Sequence, residues 1–454
     1  MVSVLTAIAL IIIGVLLFEL IIFFHEGGHF ITAKKSGVQV NEFALGMGPK
    51  IFSFKRGETT YSLRAFPIGG YCAMEGEDED SDNPRAFNNA KVWKRMIIIV
   101  AGAFMNIVLG LIMMFVIVIQ NPCYSSTTVS TFPQTSYSAN CGLKSGDTIT
   151  KVNNYRILTS QDIQFALHTS KCKEVDGDTL SIYKQDCALF LCNLYVDFYN
   201  DEKVDYSEAQ LTKAYNLLTE GTEKINAVAD KNTALQLAVQ YGKKIENAVG
   251  TTEHKAVDIE VKESRQRYQM DVEVLRNGEK MLLKDVQFYT YLKADSDEPA
   301  VSLDFYVEPI DKNVGTVLSQ TGLQTVSVAR MVWSTLIGLV RGEFSIKDVS
   351  GPVGVASAVT QVASQGLETG FGDAVNNIVY VMLLISVNLG IFNMLPFPAL
   401  DGGRFVFLLI ETIFRRPIPR KVESVVNGAG LVLLLTFSAL IALKDIWQLL
   451  PFGG

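Results

Sequence analysis

The stretch VLTAIALIIIGVLLFELIIFFHEGGH, residues 4–29, joins a long apolar run to a short polar pentapeptide. The apolar part, Val4 to Phe24, is long enough to cross a hydrocarbon core about 30 Å thick. A cleaved signal peptide is the alternative, but no basic segment precedes the run and no small-residue cleavage site follows it. We therefore predict a first transmembrane helix whose inner end carries the pentapeptide.

Three further apolar runs predict three more spans: Ile97–Ile119, Ile378–Leu395 and Val425–Leu443. Basic residues concentrate in the short loops after the first and third spans, and such loops tend to stay in the cytoplasm. The termini and the segment from about 121 to 375 are then expected outside. Gly322 to Val340 is also apolar, but Arg330 interrupts it, which favours an interfacial helix over a fifth span.

The charge and cysteine content narrow the class of protein. The net charge of −7 argues against a nucleic-acid partner, for which a basic stripe is expected. Of the 6 cysteines, all but Cys72 fall in the predicted exterior segment, where disulfides can persist. We expect one or two disulfides there, although the pattern does not reveal which cysteines pair.

The chain divides into four predicted parts. Residues 1–120 and 375–454 form the two halves of a membrane core, and the first half includes a β-hairpin around the Arg56-Gly57 turn. Residues 121–300 form a β-rich exterior module, which is interrupted at about 170–255 by a helical insertion with apolar residues at helical spacing. Residues 301–374 form a linker with interfacial helices.

His25-Glu26-Gly27-Gly28-His29 has the HExxH pattern. On a helix, the four-residue separation puts both imidazoles on one face, where they can share a tetrahedral Zn²⁺, and Glu26 can act as a general base. The alternative is a pair of surface histidines on an ordinary helix. The chain has 4 histidines, two of which lie in this pentapeptide, and ionisable groups at the end of a span indicate function.

A catalytic zinc needs a third protein ligand and an open position for water. The other histidines, His168 and His254, lie in the predicted exterior segment and are not expected to reach an inner site. Asp401 is the best candidate, because it lies at membrane depth between two prolines and two glycines. A loop aspartate that caps the next helix is the alternative interpretation.

The two patterns together resemble the site-2 protease family of intramembrane zinc metalloproteases, in the bacterial regulatory branch that carries a PDZ domain. The resemblance covers four stretches of the chain: His25 to Glu75, Lys91 to Gly110 with its AGAFMN, Gly142 to Asp147, and Ser350 to Arg404 with NLGIFNMLPFPALDGGR. It implies a multi-pass α-helical membrane protein with four transmembrane helices and a membrane-associated β-hairpin. It also implies an extracytoplasmic PDZ-like domain, here with the helical insertion.

The resemblance also implies roles for individual residues. His25, His29 and Asp401 would be the zinc ligands, and Glu26 the general base. The residues expected to bind substrate are Asn388, Asn393, Gly69, Gly70 and Tyr71, the last three in a strand that pairs with an unwound substrate. For Asn106, on the second span, packing is the expected role.

The implied activity is that of a metalloendopeptidase in a bacterial inner or plasma membrane, with its active site near the cytoplasmic side. It would cleave single-span membrane proteins, such as anti-sigma factors, or remnant signal peptides. One alternative is a non-catalytic scaffold or receptor that binds peptides through its PDZ-like domain, although such a protein has no need of a general base. A transporter is the other, but no inverted internal repeat is evident.

Overall fold

The computed structural model describes residues 4–77, 81–133, 136–169, 173–175, 180–199, 206–250, 267–292, 299–343, 351–416 and 418–449. The chain forms two compact units. Residues 1–122 and 311–454 form one, called here the helical unit, and residues 123–310 form the other, the β-rich unit.

Twelve α-helices lie in the described ranges, and we number them in chain order. They are α1 Val4–Ser36, α2 Val92–Gln120, α3 Tyr137–Asn140, α4 Ser160–Thr169, α5 Leu180–Tyr199, α6 Glu208–Ala227, α7 Lys231–Val249, α8 Val314–Val340, α9 Pro352–Thr369, α10 Phe371–Asn393, α11 Asp401–Phe414 and α12 Arg420–Leu449. The eleven described strands are β1 Val40–Arg56, β2 Thr59–Met74, β3 Cys123–Val129, β4 Thr148–Val152, β5 Tyr155–Arg156, β6 Lys173–Val175, β7 Arg267–Arg276, β8 Glu279–Gln287, β9 Tyr289–Leu292, β10 Pro299–Ser302 and β11 Val307–Asp311.

Five of these helices are long and apolar enough to cross a membrane: α1, α2, α8, α10 and α12. Three of them, α1, α2 and α12, contain predicted spans, and α10 covers the predicted span Ile378–Leu395 up to Asn393. The fifth, α8, is the segment for which the sequence favours an interfacial helix, so the number of crossings stays a prediction. Large apolar side chains on α12, such as Leu433 and Leu440, are exposed, as expected for a helix that faces lipid.

Strands β1 and β2 form the hairpin between α1 and α2, with its turn at Gly57 and Glu58 as the sequence predicts. Residues 42–45 of β1 pair with two parts of β2: residues 70–73 and residues 60–63. The first part of β1 therefore lies between the two ends of β2. The end of β2 forms an outer edge of this small sheet.

The β-rich unit is built on a sheet with the strand order β11-β3-β4-β7-β6, in which β5 pairs with β4 and β8 with β7. The antiparallel pairing of β4 with β7 joins segments on either side of the insertion. Ile163 and Leu167 of α4 pack with Ile149 and Val272 of the sheet in one apolar core. A separate antiparallel pair, β9 and β10, contributes Val301 to the same core.

The insertion forms a core of its own. Leu191 of α5, Leu218 of α6, and Tyr241 and Ile245 of α7 are buried together. Helices α5, α6 and α7 all lie within the segment of about 170–255 for which the sequence predicts a helical insertion. Among the described residues, Cys123 and Cys141 are free thiols, and Cys172 lies outside the described residues, so the expected disulfides stay a prediction.

An ion pair links the start of β4 to the end of β7. Arg276 donates from Nε to Oδ1 of Asp147 and from a second nitrogen to Oδ2, both at 2.6 Å, and the Asp147 side chain is 1% exposed. The hydrogen bonds from Arg276 to this carboxylate raise the pKa of the guanidinium.

We expect Arg276→Leu to lower the free energy of unfolding of the β-rich unit by about 3 kcal/mol, because it leaves a buried carboxylate unpaired. Hydrogen exchange of β4 and β7 in the full-length protein measures this. Lys280→Leu is the control, since Lys280 is 73% exposed and lies 3.6 Å from Glu273; it should change stability by less than about 0.5 kcal/mol. Equal effects of the two variants would contradict the prediction.

Candidate metal centre

Three side chains from two distant parts of the chain meet at one point. Helix α1 places His25 and His29 one turn apart, and Asp401 is the first residue of α11. The Nε2 atoms of the histidines are 3.3 Å apart, and each lies 3.4 Å from Oδ2 of Asp401. Within the described residues this is the only group of three or more His, Cys, Asp or Glu side chains that could hold a metal ion.

The separations among these three ligand atoms fit a tetrahedral zinc ion. Zn–N and Zn–O distances of roughly 2.0 to 2.1 Å require ligand atoms about 3.3 to 3.4 Å apart, and the three observed separations agree. Oδ2 of Asp401 is buried and has no hydrogen-bond partner, which is costly unless the oxygen binds something else. Two imidazoles and a carboxylate are a known catalytic zinc set, with the fourth position left open.

Glycines let the supporting helices approach the site. A Cβ atom on Gly102 of α2 would lie 2.3 Å from Nε2 of His29 and 2.8 Å from Cε1 of His25. One on Gly28 would lie 2.3 Å from the carbonyl oxygen of Ala101. Both separations are far shorter than a van der Waals contact distance. Helices α1 and α2 can therefore pack this closely only because neither residue has a side chain.

The turn before α11 brings Asp401 to the histidines. Cβ atoms on Gly402 and Gly403 would lie 2.1 Å and 2.3 Å from the carbonyl oxygens of Leu395 and Phe397, so the helix starts directly against the preceding turn. Ala399 has a φ of +71°, which is rare for a residue other than glycine.

Helix α12 holds the strained residue of this turn. The Ala399 N–H donates to Oδ1 of Asn427 at 3.2 Å, and Gly430 lies against Pro398. Asn427 and Gly430 thereby support the backbone two residues before Asp401.

Glu26 lies between the metal ligands and the β-hairpin. The backbone N–H of Cys72, in the outer edge of β2, donates to its carboxylate. A Cβ atom on Gly70 would lie 3.5 Å from Cγ of Glu26. The end of β2 thus runs alongside the predicted general base.

The predicted substrate residues differ in how close they come to the metal ligands. Nδ2 of Asn393, at the end of α10, lies 3.4 Å from Nε2 of His25. Gly70 adjoins Glu26, and the Tyr71 hydroxyl accepts a hydrogen bond from Arg64. Gly69, in β2, has a φ of +90°. Asn388, on α10, is exposed.

Two residues of α2 adjoin the histidines in ways that the sequence analysis did not predict. Gly102 was not named there, and Asn106, which was expected only to pack, has its Nδ2 atom 3.3 Å from Nδ1 of His25. Both belong to the stretch AGAFMN. The small residues of this stretch could have predicted a close contact between α2 and another helix, because such a contact requires small residues.

Comparison with known proteins adds to this geometry. The model of "Peptidase family M50" matches residues 13–437. A protein of Clostridium acetobutylicum named as a zinc metalloprotease is 32% identical, over 96% of this chain and 97% of its own length. The zinc metalloprotease RasP of Bacillus licheniformis is 28% identical over 96% of this chain and 98% of its own. The regulator of sigma-W protease RasP of Bacillus subtilis is also 28% identical, over 96% and 97%. The chain therefore belongs to peptidase family M50, the site-2 protease family of membrane zinc metalloproteases.

Proposed function

We propose that this metalloendopeptidase cleaves single-span membrane proteins within or at the edge of the bilayer, with His25, His29 and Asp401 as zinc ligands and Glu26 as general base. The observation that carries the proposal is the set of 3.3 to 3.4 Å separations between the ligand atoms of Asp401 and of two histidines on a helix apolar enough to span a membrane. A site at that depth is suited to a peptide bond that soluble proteases do not reach.

When bound, Zn²⁺ supplies Lewis acidity, which polarises a carbonyl and lowers the pKa of a coordinated water to about 7. Glu26 accepts a proton from the attacking water and returns it to the leaving amine. The Cys72 N–H holds the carboxylate beside the ligands. Protein covers most of the surface of two of the ligands, since His29 is 8% exposed and the Asp401 side chain is 20% exposed.

The outer edge of β2 presents the substrate. Residues 70–73 pair with β1, and among the described residues no strand pairs with their other edge. An unwound substrate segment adds there as a further strand, with its backbone beside Glu26. Asn393, which contacts His25, and Asn388 position the substrate backbone on the α10 side.

Contacts at the ends of helices in the helical unit support four membrane crossings. Lys312, just before α8, donates to the carbonyl oxygen of Ile119 at the end of α2. The N–H groups of Gly351 and Gly354 at the start of α9 donate to Asp445 at the end of α12. Helix α2 adjoins the histidines near its middle, through Gly102 and Asn106, and α12 contacts the turn before Asp401 near its start, through Asn427. Helices α8 and α9 both begin beside the C-terminal ends of α2 and α12, which supports an interfacial α8.

The proposed metal centre lies near the cytoplasmic side of a bacterial inner or plasma membrane, which the basic residues in the short loops after the first and third spans support. The β-rich unit is then outside and acts as a PDZ-like domain that screens out substrates not yet trimmed. Anti-sigma factors and remnant signal peptides are the proposed substrate classes. The name of the Bacillus subtilis relative, a regulator of sigma-W, supports the first of them.

Removal of the metal tests the proposal. In reconstituted vesicles, the full-length protein should cleave a model single-span substrate, lose cleavage on treatment with a zinc chelator, and regain it when stoichiometric Zn²⁺ is added. A control sample treated with chelator already saturated with zinc should stay active. Cleavage that persists after complete zinc removal would refute the metal mechanism, and zinc binding without cleavage of any single-span substrate would favour the peptide-binding scaffold.

A further inference from the structure

Asn106 is a fully buried amide on α2 that faces one of the ligand histidines. Its exposure is 0%, and Nδ2 lies 3.3 Å from Nδ1 of His25. Oδ1 of the same amide is buried and has no hydrogen-bond partner. The backbone carbonyl of Asn106 accepts a hydrogen bond of 2.9 Å from the hydroxyl of Ser386 on α10, also 0% exposed, so this part of α2 is fixed in place.

The two orientations of an asparagine amide have nearly the same shape, so the choice between them rests on the hydrogen bonds that each allows. If Nδ2 faced Nδ1 of His25, the ring would carry its proton on Nε2. Yet Nε2 is the atom that lies 3.3 Å from His29 and 3.4 Å from Asp401, where a metal ligand needs a free lone pair. Turning the amide by 180° lets Oδ1 accept from Nδ1–H and leaves the Nε2 lone pair free.

The second ligand is held in the same way. Nδ1 of His29 lies 2.8 Å from the carbonyl oxygen of Ile98, so this ring donates through Nδ1 and directs the Nε2 lone pair to the metal. A histidine ligand usually donates its other N–H to such an acceptor, and loss of the acceptor costs roughly 10- to 100-fold in metal affinity. For His29 the acceptor is backbone, whereas for His25 it is a side chain that can be replaced.

We propose that Asn106 is a positioning residue that accepts a hydrogen bond from Nδ1–H of His25 and so fixes the tautomer and ring orientation of this ligand. The inference rests on the proposed zinc centre and deepens it. It replaces the packing role expected from the sequence, because a packing residue of the same size needs no oxygen at this position.

The test compares two replacements of similar size in the full-length, detergent-solubilised protein. Asn106→Leu removes the acceptor, and we expect zinc affinity, measured by competition with a fluorescent chelator, to fall by about 10- to 100-fold. Asn106→Asp keeps an acceptor oxygen and should bind zinc as tightly as the wild type or more tightly. The visible spectrum of bound Co²⁺ should change in Asn106→Leu and be retained in Asn106→Asp.

Asn377→Leu is the matched control, because this amide on α10 bonds to the carbonyl oxygen of Val362 instead of to a metal ligand. It should leave zinc affinity unchanged. Asn106→Ala removes the acceptor without adding bulk and replaces Asn106→Leu if that variant does not fold. The proposal is overturned if the variants without an acceptor bind zinc like the wild type, or if Asn106→Asp binds as weakly as they do. A separate variant tests the zinc centre itself. If Asp401→Ala binds zinc as tightly as the wild type, the proposed zinc centre is wrong, whatever the role of Asn106.

Discussion

Replacing Glu26 by Gln should abolish cleavage and leave zinc bound. The amide keeps the size of the side chain and its place beside β2, but it cannot accept a proton from water. General acid–base catalysis contributes about 10²- to 10⁴-fold, and Glu26 serves both proton transfers, so we expect a loss near the upper end of this range. Initial rates on a model single-span substrate, with zinc content measured on the same samples, give the two results together.

Glu19→Gln is the control for this substitution. Glu19 lies on the same helix, seven residues earlier, and one of its carboxylate oxygens is buried without a hydrogen-bond partner. The change therefore removes a second carboxylate from α1 at a distance from the ligands, and cleavage should stay near the wild-type rate. A Glu26→Gln enzyme with near-normal turnover, or one that has lost its zinc, would contradict the assignment of Glu26 as the base.

Replacing Gly102 by Ala should remove zinc binding, and with it all metal-dependent cleavage. The added methyl group would lie 2.3 Å from Nε2 of His29, the atom that we propose as the zinc ligand. His29 cannot turn aside freely, because its ring is held by the Ile98 carbonyl oxygen and is buried. Either the ring leaves the ligand position or α2 moves away from α1. Zinc content after dialysis and cleavage rate measure both consequences.

Gly14→Ala is the matched control, since a Cβ atom there meets no atom within 4 Å and the residue also lies on a membrane-spanning candidate helix. It should keep full zinc content and activity. Size-exclusion behaviour and thermal unfolding of the two variants distinguish a blocked site from a misfolded protein. A Gly102→Ala protein that folds and holds zinc at the wild-type stoichiometry would show that the helices separate at little cost.

The helices that carry the site could be predicted because their signals are local. The length of the apolar run determines α1, and the four-residue spacing of His25 and His29 puts them on one face of it. The β1–β2 turn follows in the same way from Arg56-Gly57. Helix α8 was harder, because its length and composition fit a crossing as well as an interfacial helix, so the number of crossings stays a prediction.

The sequence by itself determined the membrane helices, the zinc-binding spacing, the candidacy of Asp401 and, through resemblance, the class of enzyme. Only the tertiary structure decided that Asp401 comes within 3.4 Å of both histidines, although 372 residues separate it from His29. It also decided that Gly102 and Asn106 contact the histidines and that the edge of β2 lies against Glu26. The physical reason is that these are contacts between separate elements of the fold. They depend on how closely two helices approach and on which buried atom is left without a partner. The local spacing of residues along the sequence determines neither of these.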